Sequence, residues 1–154
     1  MGIKWIGEHI FDLIARFRND VAMGWHGDAD TIKILPRDFM SNEDAAGAAI
    51  HFDDTGTFGV APGDADTEIY AFVPIPFGKK ATHVNVYGDH TRGLTIWESN
   101  VNSATHTSKG TGNTGTEVDI TDVSHSATNY LTIRVNTNAT TNITYGGTVT
   151  ITDI

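Results

Sequence analysis

The sequence predicts a mainly β fold, a β-sandwich of jelly-roll type standing behind an N-terminal amphipathic α-helix. Three observations carry that expectation. From Thr31 onward, short segments alternate apolar and polar residues with the period of two that marks half-buried strands. Clusters of Gly, Asn, Asp and Ser separate them and supply turns. Threonine is dense, 22 residues with 18 of them after Lys80, and its branched carbon fills a pleat while its hydroxyl meets water.

Residues 1–22 are expected to form a helical anchor or oligomerisation segment, and residues 23–154 the sandwich. Ile3, Ile6, Ile10, Leu13 and Phe17 recur at alternating spacings of three and four, which sets them on one helical stripe. Ile14 and Val21 widen the stripe, and Trp5 and Phe11 lie off it. Glu8 and Asp12 precede Arg16 and Arg18, an order that suits the helix dipole. A helix this short does not hold alone in water. Trp5, Ile6, Ile10, Leu13, Ile14 and Phe17 are therefore the expected assembly contact, buried by other subunits rather than by the chain's own domain.

The strands follow in order. Thr31 to Leu35 alternates until Pro36 interrupts. Ser41 to Ile50 reads as a short helix with Ser41 or Asn42 as cap and acids in its first turn. Ile69 to Ile75 is a strong strand whose end, with Pro74 and Pro76, belongs at a sheet edge. His83 to Tyr87 turns Val84 and Val86 inward. Leu94 and Ile96 share a face opposite Thr95 and Trp97. Val118 and Ile120 follow, then Leu131, Ile133 and Val135. The last run is Ile143 to Thr152, where the Gly146-Gly147 pair reads as a bulge. Lys109 to Thr116 has no apolar residue and reads as an exposed loop tip.

Composition narrows function. With no cysteine, a disulfide scaffold, a thiolate zinc site and a cysteine nucleophile are excluded. Ten Lys and Arg against 19 Asp and Glu give a net charge of −9, which argues against a nucleic-acid partner. No apolar run nears the ~20 residues of a membrane helix, and no secretory leader is expected at the start. The acid is concentrated from Asp28 to Glu68, where ten acids meet only Lys33 and Arg37.

Candidate chemistry is sparse. Gly27-Asp28-Ala29-Asp30-Thr31 recurs as Gly63-Asp64-Ala65-Asp66-Thr67. Alternate carboxylates can share Ca²⁺, so Asp28, Asp30, Asp64 and Asp66 are the candidate metal ligands. The full calcium-loop spacing is missing and turn formation is the simpler role, so no cofactor is expected. His51 with Asp53 and Asp54 offers too few ligands for zinc. His106 and His125 flank the glycine-rich stretch and invite the question whether they meet. Asp122, Ser124 and His125 contain the residue types of a hydrolytic triad, but a triad is defined by geometry, and no nucleophile elbow is present. An enzyme is not expected. Aromatic residues with polar neighbours, Trp25, Trp97, Tyr70, Tyr87 and Tyr130, suit carbohydrate stacking. Trp97 and Tyr87 are the candidate glycan-binding residues, and Trp97 and the stretch from Lys109 to Thr116 are the first places to look for a glycan.

The segment IKWIGEHIFDLIARFRNDV resembles the N-terminal part of virion structural proteins, often tail-fibre-like, of marine tailed bacteriophages. The segments YAFVPIPFGKKATHVNVYG and YLTIRVNTN…ITYGGTVTITDI are similar to the terminal jelly-roll-like domains of such proteins. The resemblance implies a homotrimer exposed on the particle, made in the host cytoplasm and docked onto other virion proteins through its N-terminus. The chain lacks the repeats of an extended shaft, which favours a compact capsid decoration or short-fibre subunit. The alternative is a receptor-binding tail-fibre tip that takes a host-surface glycan.

Overall fold

In a computed structural model of the chain, the described residues are 30–42, 49–65 and 67–154. The helix expected over 1–22 and the whole expected assembly contact lie outside them, as do Trp25, Asp28 and Asp66. Eleven strands are seen among the described residues: β1 (Thr31–Ile34), β2 (Phe39–Ser41), β3 (Ile50–Asp53), β4 (Gly59–Pro62), β5 (Glu68–Pro74), β6 (Lys79–Gly88), β7 (Gly93–Asn100), β8 (Ser103–Asn113), β9 (Val118–Ser124), β10 (Asn129–Asn136) and β11 (Thr144–Asp153). They form two antiparallel sheets. One has the order β3-β4-β11-β6-β9 with β1 also on β11, and the other β2-β5-β10-β7-β8. The mainly β, two-sheet architecture expected from the alternation is present.

The alternation sets the core. On β10, Leu131, Ile133 and Val135 are fully buried, and they face Val73, Ala71 and Ile69 of β5 on one side. On the other side Ile133 and Val135 face Ile96 and Leu94 of β7. Val84 and Val86 of β6 and Val149 of β11 fill the opposite sheet's inner side, all buried completely. Each fully buried aliphatic side chain contributes roughly 1.5–3 kcal/mol by leaving water.

Several local expectations meet their test here. Pro36 ends β1 and opens a single 3₁₀ turn over Pro36–Asp38, as a residue without an N–H should. Pro74 pairs with Tyr130 of β10, and on its other side β2 stops opposite Ala71, so the proline lies where β5 has an open edge. The Gly146-Gly147 pair is a bulge, with the register shifting between Thr144 and Gly146. At Gly146, φ is +141° and an added Cβ would stand 2.6 Å from the Ile34 carbonyl oxygen.

Ser41 ends β2 and Ile50 begins β3; the body of the span read as a short helix, residues 43–48, lies outside the described residues. One expectation is corrected. The stretch from Lys109 to Thr116 is not a loop tip. Strand β8 runs through it to Asn113, and only residues 114–116 turn. The cause is steric. Gly112 and Gly110 stand opposite Leu94 and Ile96 in the register, where an inward side chain is expected. A Cβ there would lie 2.4 Å from Val118 and 2.9 Å from Ile120 of β9. Residues from the facing sheet already fill that space.

Polar contacts tie the sheets at the margin. Asn129 of β10 donates to Glu98 at 2.8 Å and to the Ser124 carbonyl of β9 at 2.9 Å. Lys109 of β8 pairs with the same Glu98 at 2.8 Å. The hydrogen bonds from Lys109 and then Asn129 hold the Glu98 carboxyl below its ordinary value against the opposing effect of burial.

Two stability tests follow from these contacts. Gly56 has nearly the φ of Gly146, +137°, with open space around it. Gly146→Ala should therefore cost about 1–3 kcal/mol more than Gly56→Ala in denaturant unfolding; equal costs would show that the close approach to Ile34 is not real. Glu98 titrates lower folded than unfolded, so its stabilisation is present above the unfolded glutamate value of about 4.3 and is lost as pH falls through the folded value. Glu98→Gln should flatten the acid limb of the stability–pH curve in that window, and a limb of unchanged slope would contradict the pairing.

Candidate functional site

The outer face of the five-stranded sheet follows from the same alternation. Because Leu131, Ile133 and Val135 point inward, Tyr130, Thr132 and Arg134 point outward. Register then selects their neighbours. Arg134 stands between Tyr70 of β5 and Thr95 of β7, Thr132 between Phe72 and Trp97, and Ser99 of β7 lies beside His106 of β8. Tyr70, Trp97, Ser99, His106, Thr132 and Arg134 line an open groove of about 300 Å³.

The groove combines an aromatic surface with hydroxyls and one closed ion pair. Trp97 is half-buried. The Arg134 guanidinium carbon lies 5.1 Å from its ring centre, and the His106 ring meets it edge-on at 5.8 Å. Phe72 and Tyr130 form a second ring pair at 6.0 Å. The Ser99 and Thr132 hydroxyls are 2.8 Å apart; that bond uses one of their two protons and leaves lone pairs on both oxygens for a ligand. Arg134 donates to Glu68 at 3.0 Å and to the Thr95 hydroxyl at 3.2 Å. Glu68 also accepts from the Tyr70 hydroxyl at 3.0 Å. Burial, and then that bond to Glu68, pushes the Tyr70 hydroxyl above its ordinary value.

The residues singled out from sequence are placed as follows. Trp97 lies in the groove. Tyr87 lies on β6 in the other sheet, 45% exposed, with Asn85 donating to its hydroxyl at 3.2 Å. The two candidate glycan residues thus stand on different sheets and do not form one site. Of the other aromatics, Tyr70 and Tyr130 join the Trp97 face. His106 and His125 have different neighbours: His125 bonds the Ile75 carbonyl at 2.8 Å and meets the Phe77 ring edge-on. Asp122 pairs with Lys80 at 2.6 Å, so Asp122, Ser124 and His125 do not form the triad geometry. Asp53 accepts two bonds from Thr55, which form a turn and lower its carboxyl value. The carbonyl of Asp30 accepts from Ile151, and that of Asp64 from Thr67. Among the described residues, no three His, Asp or Glu are placed to share a metal ion.

A second recess, of about 310 Å³, lies at the side of the sandwich where β5 outruns β2. Its lining is mainly apolar, with Ile32, Ile34, Val73 and Ile75, and its charged residues include Arg37 and Asp38, which lie 3.7 Å apart. It offers few groups to orient a polar ligand, whereas the Trp97 groove has several.

No protein-family model matches the chain, and no curated protein does. Among solved structures, it is similar to a Clostridium thermocellum N-terminal endo-1,4-β-D-xylanase 10B structure, of CBM22-1 and GH10 modules complexed with xylohexaose. The identity is 19% and the TM-score 0.38, over 81% of this chain and 28% of that one.

Proposed function

We propose that this chain is a non-enzymatic binding module that takes a glycan on the outer face of its five-stranded sheet, with Trp97 as the stacking surface. The observation that carries the proposal is the groove itself. A half-buried indole stands beside the Ser99–Thr132 hydroxyl pair, the Tyr70 hydroxyl, His106 and Arg134. The C–H face of a sugar ring suits the indole, and its hydroxyls need donors and acceptors at the ring's edge. We further read the sandwich as jelly-roll in type. Supporting this, strands β4 to β11 alternate between sheets in runs, giving the order β4-β11-β6-β9 facing β5-β10-β7-β8.

A glycan array tests the site. Trp97→Ala should weaken every genuine hit by roughly tenfold or more, while Tyr87→Ala, on the other sheet, should leave the hits in place. Hits that survive Trp97→Ala, or vanish in Tyr87→Ala, would move the site elsewhere.

A second proposal concerns where the module works: a homotrimeric capsid decoration or short-fibre subunit of a virion, docked through residues 1–22 and presenting the sandwich to a host-surface glycan. It rests on the sequence resemblance. The described strands close a continuous apolar core among themselves, which makes a shortened chain a fair test. A chain lacking residues 1–22 should keep its cooperative unfolding transition but fail to join particles. Normal incorporation of that shortened chain would contradict the anchor.

A further inference from the structure

We infer that the Trp97 groove selects uncharged sugars and rejects carboxylated or sulfated ones, an inference that rests on the glycan-binding reading above. Arginine is the side chain best built to recognise an anionic sugar, because its planar fork pairs with a carboxylate or sulfate through two N–H bonds. In this groove the guanidinium charge is already matched by Glu68, and each terminal nitrogen already has one partner. One terminal nitrogen of Arg134 donates to Glu68 at 3.0 Å, the other to Thr95 at 3.2 Å, and the guanidinium lies over Trp97.

Glu68 is not easily displaced. Its carboxylate accepts from Arg134, from the Tyr70 hydroxyl at 3.0 Å and from the Asn42 amide at 3.2 Å. The pair is largely shielded, with side chains 23% and 29% exposed, which strengthens it relative to a surface pair. An anionic ligand reaching Arg134 would therefore sit beside a fixed negative charge. The chain's net charge of −9 adds a further repulsive field. What remains for a ligand is one indole surface, the spare proton and lone pairs of Ser99 and Thr132, the His106 ring, and the N–H groups of a guanidinium whose charge Glu68 matches. Those groups match hydroxyls.

The test uses oligosaccharides matched in linkage and length that differ in charge: cellohexaose against the β-1,4-glucuronan hexamer, and oligogalacturonate and oligomannuronate each against its carboxyl-reduced form. Binding is measured on the full chain at pH about 8, above the usual imidazole range, and between about 0.05 and 0.5 M salt. The neutral member should bind at least roughly tenfold tighter than its uronate, with an affinity flat in salt. In Glu68→Gln, which removes the carboxylate at constant size, that preference should shrink, and uronate binding should appear and weaken with salt. A uronate that binds the unaltered chain as well as its neutral partner, and loses binding in Trp97→Ala, would overturn the charge selectivity while leaving the glycan site standing. Failure of every pair to bind through Trp97 would overturn both.

Discussion

Strand β10 cannot slip by one residue, and both sides of the molecule depend on that. A slip would turn Leu131, Ile133 and Val135 to water and carry Arg134 into an apolar core. Held between β5 and β7 along nearly its whole length, the strand centres the five-stranded sheet. The register that buries its aliphatic face therefore also fixes which residues meet on the outer face. Tyr70, Trp97 and Thr95 come to Arg134 and Thr132 because the core requires it, so the groove is preorganised by packing that lies beneath it.

The two outer faces differ in what they present. On the six-stranded sheet, strands β1, β6 and β11 place Thr31, Thr148, Thr150, Lys33, His83 and Asn85 in neighbouring register positions, a wet polar surface with Tyr87 at one end. On the five-stranded sheet, aromatic rings stand among hydroxyls, and Arg134 is neutralised in place by Glu68. A charge satisfied by its own neighbour positions a ring without advertising a field to solvent. In the proposed reading, that arrangement lets an arginine serve as a rigid wall of the groove and a donor of hydrogen bonds, rather than as an anion receptor.

The sequence made the apolar strands legible because each repeats the period of two across several residues, as in Ile69 to Ile75 and Leu131 to Val135. It hid β8, where Gly110 and Gly112 occupy inward positions that Val118 and Ile120 fill from the facing sheet; no local pattern announces a side chain supplied by another strand. It hid β4 for a related reason: Gly59–Pro62 is buried at every position and so does not alternate. Trp97 could be named as a candidate from its polar surroundings in the chain. Its true companions could not, since Tyr70, Thr132, Arg134 and His106 join it only through cross-strand register. Tyr87 looked equivalent because sheet membership is set by strand order, a long-range property that leaves no mark within a single strand.

Mapping a bound oligosaccharide by backbone and indole chemical shifts tests this account most directly. With a neutral hexasaccharide titrated to saturation, the account predicts that the Trp97 indole signal moves together with the amides of Tyr70, Ser99, His106 and Thr132, while those of β6 and β11 stay still. Saturation that leaves the Trp97 indole unmoved, or that shifts the Tyr87 side of the sandwich instead, would contradict it.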